Sequence, residues 1–258
     1  MTDYGHDLRF GVFITPTAAA AHDVLRLAKL AEREHLDIVT FQDHPYQRRF
    51  LDAFTLLAMV AAQTDRIYLA PNVTNLPLRL PVTIAKAAAS IDILSDGRMH
   101  LGLGAGAFWD AIERVGGPRR TPGESVDALS EAIDVIRGFW DEGPPPDKPI
   151  EIWLGAYKPR MLRLTGRKAD GWLVSKGGAP PEALGEMTAV IDAAAEDAGR
   201  DPRLIRRLYN IDASLDARQL AQLYADHGIS AFILMTDEPD EIKRFAHEVA
   251  PMVRELVP

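Results

Sequence analysis

The chain has 258 residues and a formal net charge of −8, with 47% hydrophobic and 26% charged residues. This composition is typical of a globular protein with a large core, and the acidity argues against nucleic acid as the main partner. The absence of cysteine excludes disulfides and thiolate nucleophiles. The N-terminus lacks a signal-peptide pattern, and no apolar run approaches the roughly 20 residues that span a bilayer. We therefore expect a soluble, cytoplasmic protein that does not enter membranes.

Short β-type segments alternate with amphipathic helical segments along the chain. Each predicted strand is rich in β-branched or aromatic residues and is bounded by glycine or polar positions. The eight predicted strands cover residues 8–14, 37–41, 66–70, 98–104, 150–155, 171–175, 205–211 and 230–235. Apolar residues recur at helical spacing between them. The clearest of these stripes lie in 24–31, 84–94, 126–136, 184–194 and 242–253.

Strict alternation of eight strand–helix units predicts a parallel sheet. Eight units in about 250 residues match a closed (β/α)8 TIM barrel, here a single domain over residues 1–258. A doubly wound open sheet is the alternative. We interpret GPPPDKP (143–149) as a connector to the fifth strand and not as a linker between domains. In such a barrel the chemistry lies at the C-terminal ends of the strands, so residues directly after strands are the functional candidates.

The segment VTFQDHPYQRRF (39–50) follows the second predicted strand. Of the seven histidines, only His44 directly follows a strand end, beside Asp43 and before Pro45. The proline imposes an extended backbone at His44. This position predicts a proton donor, a proton acceptor or a ring-positioning group, with a hydrogen-bonded loop histidine as the alternative.

Two further segments after strands are candidates for the walls of a site. Gly102, Gly104 and Gly106 in HLGLGAGAFWD repeat at every second residue, so they share one face of an extended chain. A face without side chains lets a flat ligand approach the backbone, whereas tight packing at the strand end is the alternative. The segment APNVTNLPLRLP (70–81) is long for a connector, which favours an active-site wall.

Two later loops combine small residues with a lysine, LGAYKPR (154–160) with Lys158 and LVSKGG (173–178) with Lys176. Small residues expose backbone N–H groups and lysines supply charge, so together the loops predict an anion site, although either lysine alone could be solvated. The sequence contains no metal-ligand spacing and no nucleophile elbow. We therefore expect no metal site, and an organic cofactor that carries the chemistry.

Two of these regions resemble motifs of a known superfamily. AKAAASIDILSDGRMHLGLGAGAFWD (85–110) is similar to the signature of the bacterial luciferase-like flavin- and deazaflavin-dependent oxidoreductases, and GRKADGWLVS (166–175) is similar to a second signature. The resemblance runs through nearly the whole chain. It implies a luciferase-like barrel, a small-molecule substrate and a homodimer. The chain is shorter than typical members of the superfamily, so we expect reduced insertions.

Within the superfamily, Asp43-His44 resembles the corresponding pair in enzymes that use coenzyme F420, a 5-deazaflavin. In that branch the resemblance implies that His44 lies near the ring, that Asp43 supports it, and that a non-prolyl cis peptide joins Asn72 and Val73. It further implies hydride transfer between bound F420 and a small organic substrate. An FMN-dependent monooxygenase that uses dioxygen is the alternative.

The resemblance also implies two groups of cofactor-binding residues. Those beside the ring are Gly104, Ala105, Gly106 and Asp110. Those at the ribityl phosphate, together with Lys158 of the predicted anion site, are Gly155, Ala156, Ser175, Lys176 and Gly177.

One position departs from the pattern of the sugar-phosphate dehydrogenases in this branch. They carry a glutamate where this chain has Ala107, which argues against that substrate class. A non-catalytic flavin-binding relative is a second hypothesis. A sugar-phosphate isomerase or aldolase barrel ranks last, because Lys158 and Lys176 have no obvious acid–base partner in the sequence.

Overall fold

The computed structural model describes residues 4–143 and 149–257. Within these ranges the strands are β1 (Arg9–Ile14), β2 (Ile38–Phe41), β3 (Tyr68–Pro71), β4 (Thr74–Asn75), β5 (Leu101–Gly104), β6 (Ile152–Leu154), β7 (Gly171–Ser175), β8 (Arg206–Ile211) and β9 (Ile229–Met235). The helices are α1 (Ala21–Arg33), α2 (Ala53–Ala61), α3 (Pro81–Leu94), α4 (Trp109–Arg114), α5 (Pro122–Asp141), α6 (Pro159–Lys168), α7 (Leu184–Asp197), α8 (Ala217–His227), α9 (Pro239–Arg244) and α10 (Ala250–Leu256).

The strands form one parallel sheet in the order β3-β2-β1-β9-β8-β7-β6-β5-β4. The sheet closes where Leu69 of β3 forms a parallel bridge with Met99, just before β5. At this bridge the Leu69 amide donates to the Arg98 carbonyl at 2.8 Å, and the His100 amide donates to the Leu69 carbonyl at 2.9 Å. The predicted barrel is therefore confirmed, and closure excludes the doubly wound alternative.

The third strand of the barrel is divided in two. Its first part, β3, pairs with β2, whereas the two-residue β4 pairs with β5. Between them the peptide bond from Asn72 to Val73 is cis, at the position that the resemblance implied. The predicted loop over residues 70–81 therefore contains an additional strand, β4.

Side chains alternate between the two faces of the closed sheet. A large apolar cluster packs the strands against the helices, and includes Val39, Trp172 and Phe232. Their neighbours in sequence face the other side of the sheet and belong to a smaller cluster, which we assign to the barrel interior. This cluster is made of Ile38, Ala70, Trp153, Leu173, Leu208, Ala231 and Ile233. The interior is therefore a packed core below the C-terminal ends of the strands.

The turn Leu-Ser-Asp-Gly-Arg before β5 connects the end of α3 to the segment between α2 and β3. Asp96 and Gly97 both have positive φ angles, 56° and 79°, which reverse the chain after α3. The buried guanidinium of Arg98 donates to the carbonyls of Ala61, Thr64, Ile67 and Ser95 and to the Thr64 hydroxyl. This signature turn is thus structural, and the strand begins at residue 101 and not at the predicted 98.

Helix α2 was absent from the helical stripes predicted from the sequence. Six of its nine residues are buried, so it lacks the polar face that marks an amphipathic helix. Residues 144–148 of the predicted connector lie outside the described residues. In the part of the chain that the structure describes, no helix combines the length and the apolar character needed to cross a membrane.

Candidate active site

A cavity of about 570 Å³ opens at the C-terminal ends of the strands. Its walls are the segments that follow β2, β3, β5 and β6, together with residues of β1, β7 and β8 near the ends of these strands. The predicted site residues that line it are Asp43, His44, Asn72, Val73, Gly104, Ala105, Gly106, Gly155, Lys158 and Ser175. The expectation that functional residues lie at or directly after the C-terminal ends of strands, which we call the strand-end rule, therefore located the cavity from five separate parts of the chain.

Asp110 and Ala156 do not line the cavity. Asp110 lies in the first turn of α4, where its exposed carboxylate pairs with Arg119. Ala156 is fully buried, and its carbonyl accepts a hydrogen bond of 2.9 Å from the Trp172 indole.

Lys176 and Gly177 also lie outside the lining of the cavity, in the turn that follows β7. The Lys176 ammonium pairs with Asp212 at 3.0 Å and donates to the Ser214 hydroxyl at 2.6 Å. Its charge is therefore partly neutralised. Lys158 lines the cavity, and among the described residues it has no ion-pair partner. Of the two predicted lysines, Lys158 is the cation available to a ligand in this cavity.

Asp43 does not hydrogen-bond to His44. Its carboxylate is 2% exposed and accepts from the Arg79 guanidinium at 2.7 and 2.8 Å and from the Asn75 amide at 3.0 Å. Arg79 also pairs with Asp52, the N-cap of α2. Asp43 therefore ties the segment after β2 to the segment after β4, and it acts on His44 only through its charge.

His44 is held by Tyr46. The Nδ1 atom of His44 and the Tyr46 hydroxyl lie 2.7 Å apart, and the Phe108 ring packs edge-on against both residues. The Nε2 atom of His44 has no hydrogen-bond partner among the described residues. Burial lowers the pKa of His44, against the opposing charge of Asp43, so the imidazole is neutral at pH 7. The site thus offers a neutral imidazole with one free nitrogen.

Two buried asparagines form the floor of the cavity. Asn72 donates to the Asn210 side-chain oxygen at 2.8 Å, and Asn210 donates back to the Asn72 oxygen at 3.1 Å. Asn210 also donates to the Ser175 hydroxyl at 3.0 Å, and Asn72 donates to Thr40 at 3.2 Å. These bonds connect the ends of β2, β3, β7 and β8, so they give the cavity a defined base.

The glycines of β5 pack against the divided third strand. A Cβ at Gly102 would lie 2.2 Å from the Pro71 carbonyl oxygen, and one at Gly104 would lie 2.8 Å from Val73 Cγ2. The missing side chain of Gly102 therefore admits protein backbone, which corrects the expectation of ligand approach there. Gly104 and Gly106 line the cavity, and at these two positions its wall is backbone.

Several lining atoms suit a polar, planar ligand. The Thr74 hydroxyl and the Asn75 side-chain oxygen are buried without a hydrogen-bond partner among the described residues. Tyr157 accepts from the Ser175 amide at 3.0 Å, which fixes the loop beside Lys158. A cavity of this volume, lined by aromatic and apolar side chains with a few polar groups, is typical of small-molecule and cofactor sites. The residues present therefore fit a flavin-like ring.

Comparison with known proteins identifies the family. The sequence model of the luciferase-like monooxygenases matches residues 8–254. The chain belongs to the luciferase-like monooxygenase family. Family members include oxidoreductases and monooxygenases, in agreement with the expected enzyme class.

Curated relatives in this family include an F420-dependent glucose-6-phosphate dehydrogenase of Kribbella flavida. It is 27% identical over 232 residues, which cover 81% of this chain and 70% of the relative. An uncharacterised protein of Mycobacterium tuberculosis is 32% identical over 168 residues, 58% of this chain. The match spans only 56% of the length of that protein.

Solved luciferase-like structures share the fold at low identity. An F420-dependent secondary alcohol dehydrogenase in complex with an F420–acetone adduct has a TM-score of 0.84 and 19% identity, and covers 96% of this chain and 100% of its own. The FMN-bound oxygenating constituent of 3,6-diketocamphane monooxygenase from Pseudomonas putida has a TM-score of 0.77 and 16% identity, and covers 98% and 100%. These neighbours include both cofactor types, so they establish the fold and not the cofactor.

Some lining residues of this luciferase-like protein were not assigned from sequence. They are Tyr46, Asn75, Tyr157 and Asn210. Asn210 lies near the C-terminal end of β8, so the strand-end rule could have identified it. Tyr46 lies two residues after His44, but only the fold of the loop shows that the two side chains meet.

Proposed function

We propose that this protein is an F420-dependent oxidoreductase that transfers a hydride between the deazaflavin and a small organic substrate. The observation that carries the proposal is His44, a neutral imidazole with a free Nε2 in the wall of a cofactor-sized cavity. The F420-dependent relative from Kribbella flavida, which aligns over 81% of this chain, supports the deazaflavin over FMN.

The chain's own residues divide the work of binding. The backbone of Gly104, Ala105 and Gly106 and the segment from Asn72 to Asn75 would hold the ring. Thr74 and Asn75 would supply their unpaired polar atoms to its edge. Gly155, Ser175 and Lys158 would hold the ribityl phosphate, and Lys158 would provide the charge. Bound F420 would supply the acceptor or donor of the hydride.

The proposed substrate is not a sugar phosphate. Ala107 lines the cavity at the position where the sugar-phosphate dehydrogenases carry a glutamate. Proton handling therefore depends on His44.

Equilibrium titration of the purified, cofactor-free protein with F420 and, separately, with FMN tests the cofactor. Tight F420 binding with weak FMN binding supports the proposal. The opposite preference replaces it with an FMN-dependent monooxygenase, which oxygen consumption would then test. Binding of neither cofactor overturns the functional proposal and leaves the barrel unaffected.

Replacement of His44 by alanine tests its role. We expect F420 affinity and the melting temperature to change little, because the side chain is only partly buried and, among the described residues, hydrogen-bonds only to Tyr46. Turnover should fall by roughly 10²- to 10⁴-fold, the usual contribution of a general acid or base. Steady-state kinetics and a thermal melt measure both. Unchanged turnover in a natively folded variant would exclude His44 from the chemistry.

A further inference from the structure

Tyr46 is the direct hydrogen-bond partner of His44, and both side chains line the cavity. The Tyr46 hydroxyl lies 2.7 Å from Nδ1 and has no other partner among the described residues. Phe108 packs edge-on against the two rings, with centroid distances of 6.0 Å to His44 and 6.4 Å to Tyr46. The pair is thus held by its own hydrogen bond and by packing against Phe108.

We propose that Tyr46 is a positioning residue that selects the His44 tautomer with the proton on Nε2, and that the substrate is a carbonyl compound whose oxygen accepts this N–H. The inference rests on the proposed function and names its substrate class. A neutral imidazole has one donor and one acceptor nitrogen. When the phenol donates to Nδ1, the free Nε2 must be the donor.

The charges around the pair favour this arrangement. Burial raises the pKa of Tyr46, with the Asp43 carboxylate as a second cause, so the phenol keeps its proton and can donate it. Burial disfavours the imidazolium form of His44. The charged group that acts on both members of the pair is Asp43, which pairs with Arg79 on the neighbouring segment. A neutral imidazole N–H that points at a carbonyl oxygen can polarise the carbonyl and so act as the electrophile.

The reduction that follows is balanced in atoms and electrons. The carbonyl carbon receives a hydride, with its electron pair, from the reduced deazaflavin, and the π electrons move to the oxygen. The oxygen takes the proton from His44 Nε2, and Nδ1 takes the proton of the Tyr46 hydroxyl. Before the next turnover Nε2 takes a proton from water and Nδ1 returns its proton to the Tyr46 oxygen, which restores the starting tautomer. The product is the alcohol.

Tyr46→Phe tests the tautomer directly because it removes the hydroxyl and keeps the ring against Phe108. In the cofactor-free wild type at pH 7, ¹⁵N NMR of the histidine rings should show His44 with a protonated Nε2 and an unprotonated, hydrogen-bonded Nδ1. His44→Ala assigns the signals. In Tyr46→Phe the two tautomers should become mixed. A wild-type signal with the proton on Nδ1, or an unchanged signal in the variant, overturns the tautomer assignment.

Tyr68→Phe is the matched control. Tyr68 stacks on a different histidine, His100, at a centroid distance of 5.0 Å near the N-terminal end of the barrel, outside the cavity lining. The Tyr68→Phe substitution should leave the His44 ¹⁵N signals unchanged.

Kinetics test the substrate class with reduced F420 and a panel of short-chain ketones and aldehydes. Tyr46→Phe should lower kcat by roughly 100-fold, whereas KM and the F420 dissociation constant should stay within about two-fold, because the proton transfer is affected and not binding. An F420-binding wild type that reduces no member of the panel overturns the carbonyl assignment. Failure to bind F420 overturns the proposed function instead, and the NMR result still decides the role of Tyr46.

Discussion

Asp43 and His44 are neighbours in the chain but have different partners in space. Asp43 is 2% exposed and receives two hydrogen bonds from Arg79 and one from the Asn75 amide, whereas His44 bonds to Tyr46. A buried carboxylate requires such partners, because the cost of desolvating a charge is otherwise large. Asp43 therefore fixes the cavity wall by its bonds to Arg79 and Asn75, whereas His44 has a ring nitrogen that can hydrogen-bond to a ligand.

Asp43→Asn should lower the free energy of unfolding by about 2–4 kcal/mol, because it leaves the Arg79 guanidinium without its buried counter-charge. Chemical denaturation measures the loss. Asp52→Asn is the matched control, since Asp52 pairs with the same guanidinium but is exposed, and asparagine is an equally good N-cap for α2. A loss at Asp43 no larger than that at Asp52 would contradict a structural role for the buried pair.

For individual residues, the sequence predicted which side chains lie at the site better than it predicted their hydrogen-bond and ion-pair partners. The strand-end rule selected Asp43 and His44 without any structure. The bond between Asp43 and Arg79 joins residues 36 positions apart, and no local pattern indicates it. Lys176 shows the same limit, since its neutralisation by Asp212 depends on how the turns after β7 and β8 meet.

At the scale of elements, strand β5 depends on a glycine that has no room for a side chain. A Cβ at Gly102 would meet the Pro71 carbonyl at 2.2 Å and Val73 Cγ1 at 3.1 Å. Both contacts belong to the divided third strand, so the absence of a side chain here allows β3 and β5 to approach. Backbone atoms cannot move aside as a flexible side chain can.

Gly102→Ala should therefore destabilise the protein by about 2–4 kcal/mol, at or above the usual 1–3 kcal/mol cost of overpacking, since the clash is with backbone. Gly138→Ala is the control, because Gly138 lies inside α5 with nothing within 4 Å of its Cβ position. It should stabilise by about 0.5–1 kcal/mol, the usual gain from alanine in a helix. Melting temperatures of the two variants that shift in the same direction would contradict this account.

Elements with a strong local signal were predictable, and those set by tertiary contacts were not. The Thr-Pro-Gly-Glu sequence at the start of α5 forms a capping box between Thr121 and Glu124, a pattern that is readable from sequence. Helix α2 is apolar on most sides, and β4 has only two residues. Neither has a periodicity that could separate it from a loop.

For the molecule as a whole, the two ends of the barrel differ in how they hold histidine. At the C-terminal end, His44 keeps a free nitrogen in the cavity. At the N-terminal end, His100 is buried between Tyr68 and Trp153, with Arg9 at 3.3 Å from its Nε2. Burial lowers the pKa of His100 to about 4, and burial together with the charge of Arg206 lowers that of His6 to about 4.

Stability should therefore fall as the pH decreases from about 6.5 towards 4. In this window the unfolded chain binds protons that the folded protein does not, so the free energy of unfolding decreases by at most ~1.4 kcal/mol per pH unit for each histidine. Denaturant midpoints measured from pH 7 to pH 5 show the slope. His100→Gln should flatten it, and His6→Gln should do so separately. A slope that neither variant changes would place the acid sensitivity elsewhere.

The overall architecture was the most predictable feature, because eight alternating units leave few arrangements of a parallel sheet. Closure was an inference from that number, and the structure locates it at the bridge between Leu69 and Met99. The division of the third strand adds a ninth strand to the sheet without changing the barrel.

Because the third strand is divided, the cavity wall lies along the line where the barrel closes, between the third strand and β5. On one side of residues 72 and 73 the chain hydrogen-bonds to β2, and on the other side to β5. A molecule that rests on both Asn72 and Gly104 therefore spans the line along which the cylinder would otherwise open. A ligand that binds only the closed barrel stabilises it by an amount that grows with its free concentration relative to its dissociation constant. Occupancy of the site and stability of the barrel are therefore linked, and exchange of the amide hydrogens between the third strand and β5 should slow as the site fills.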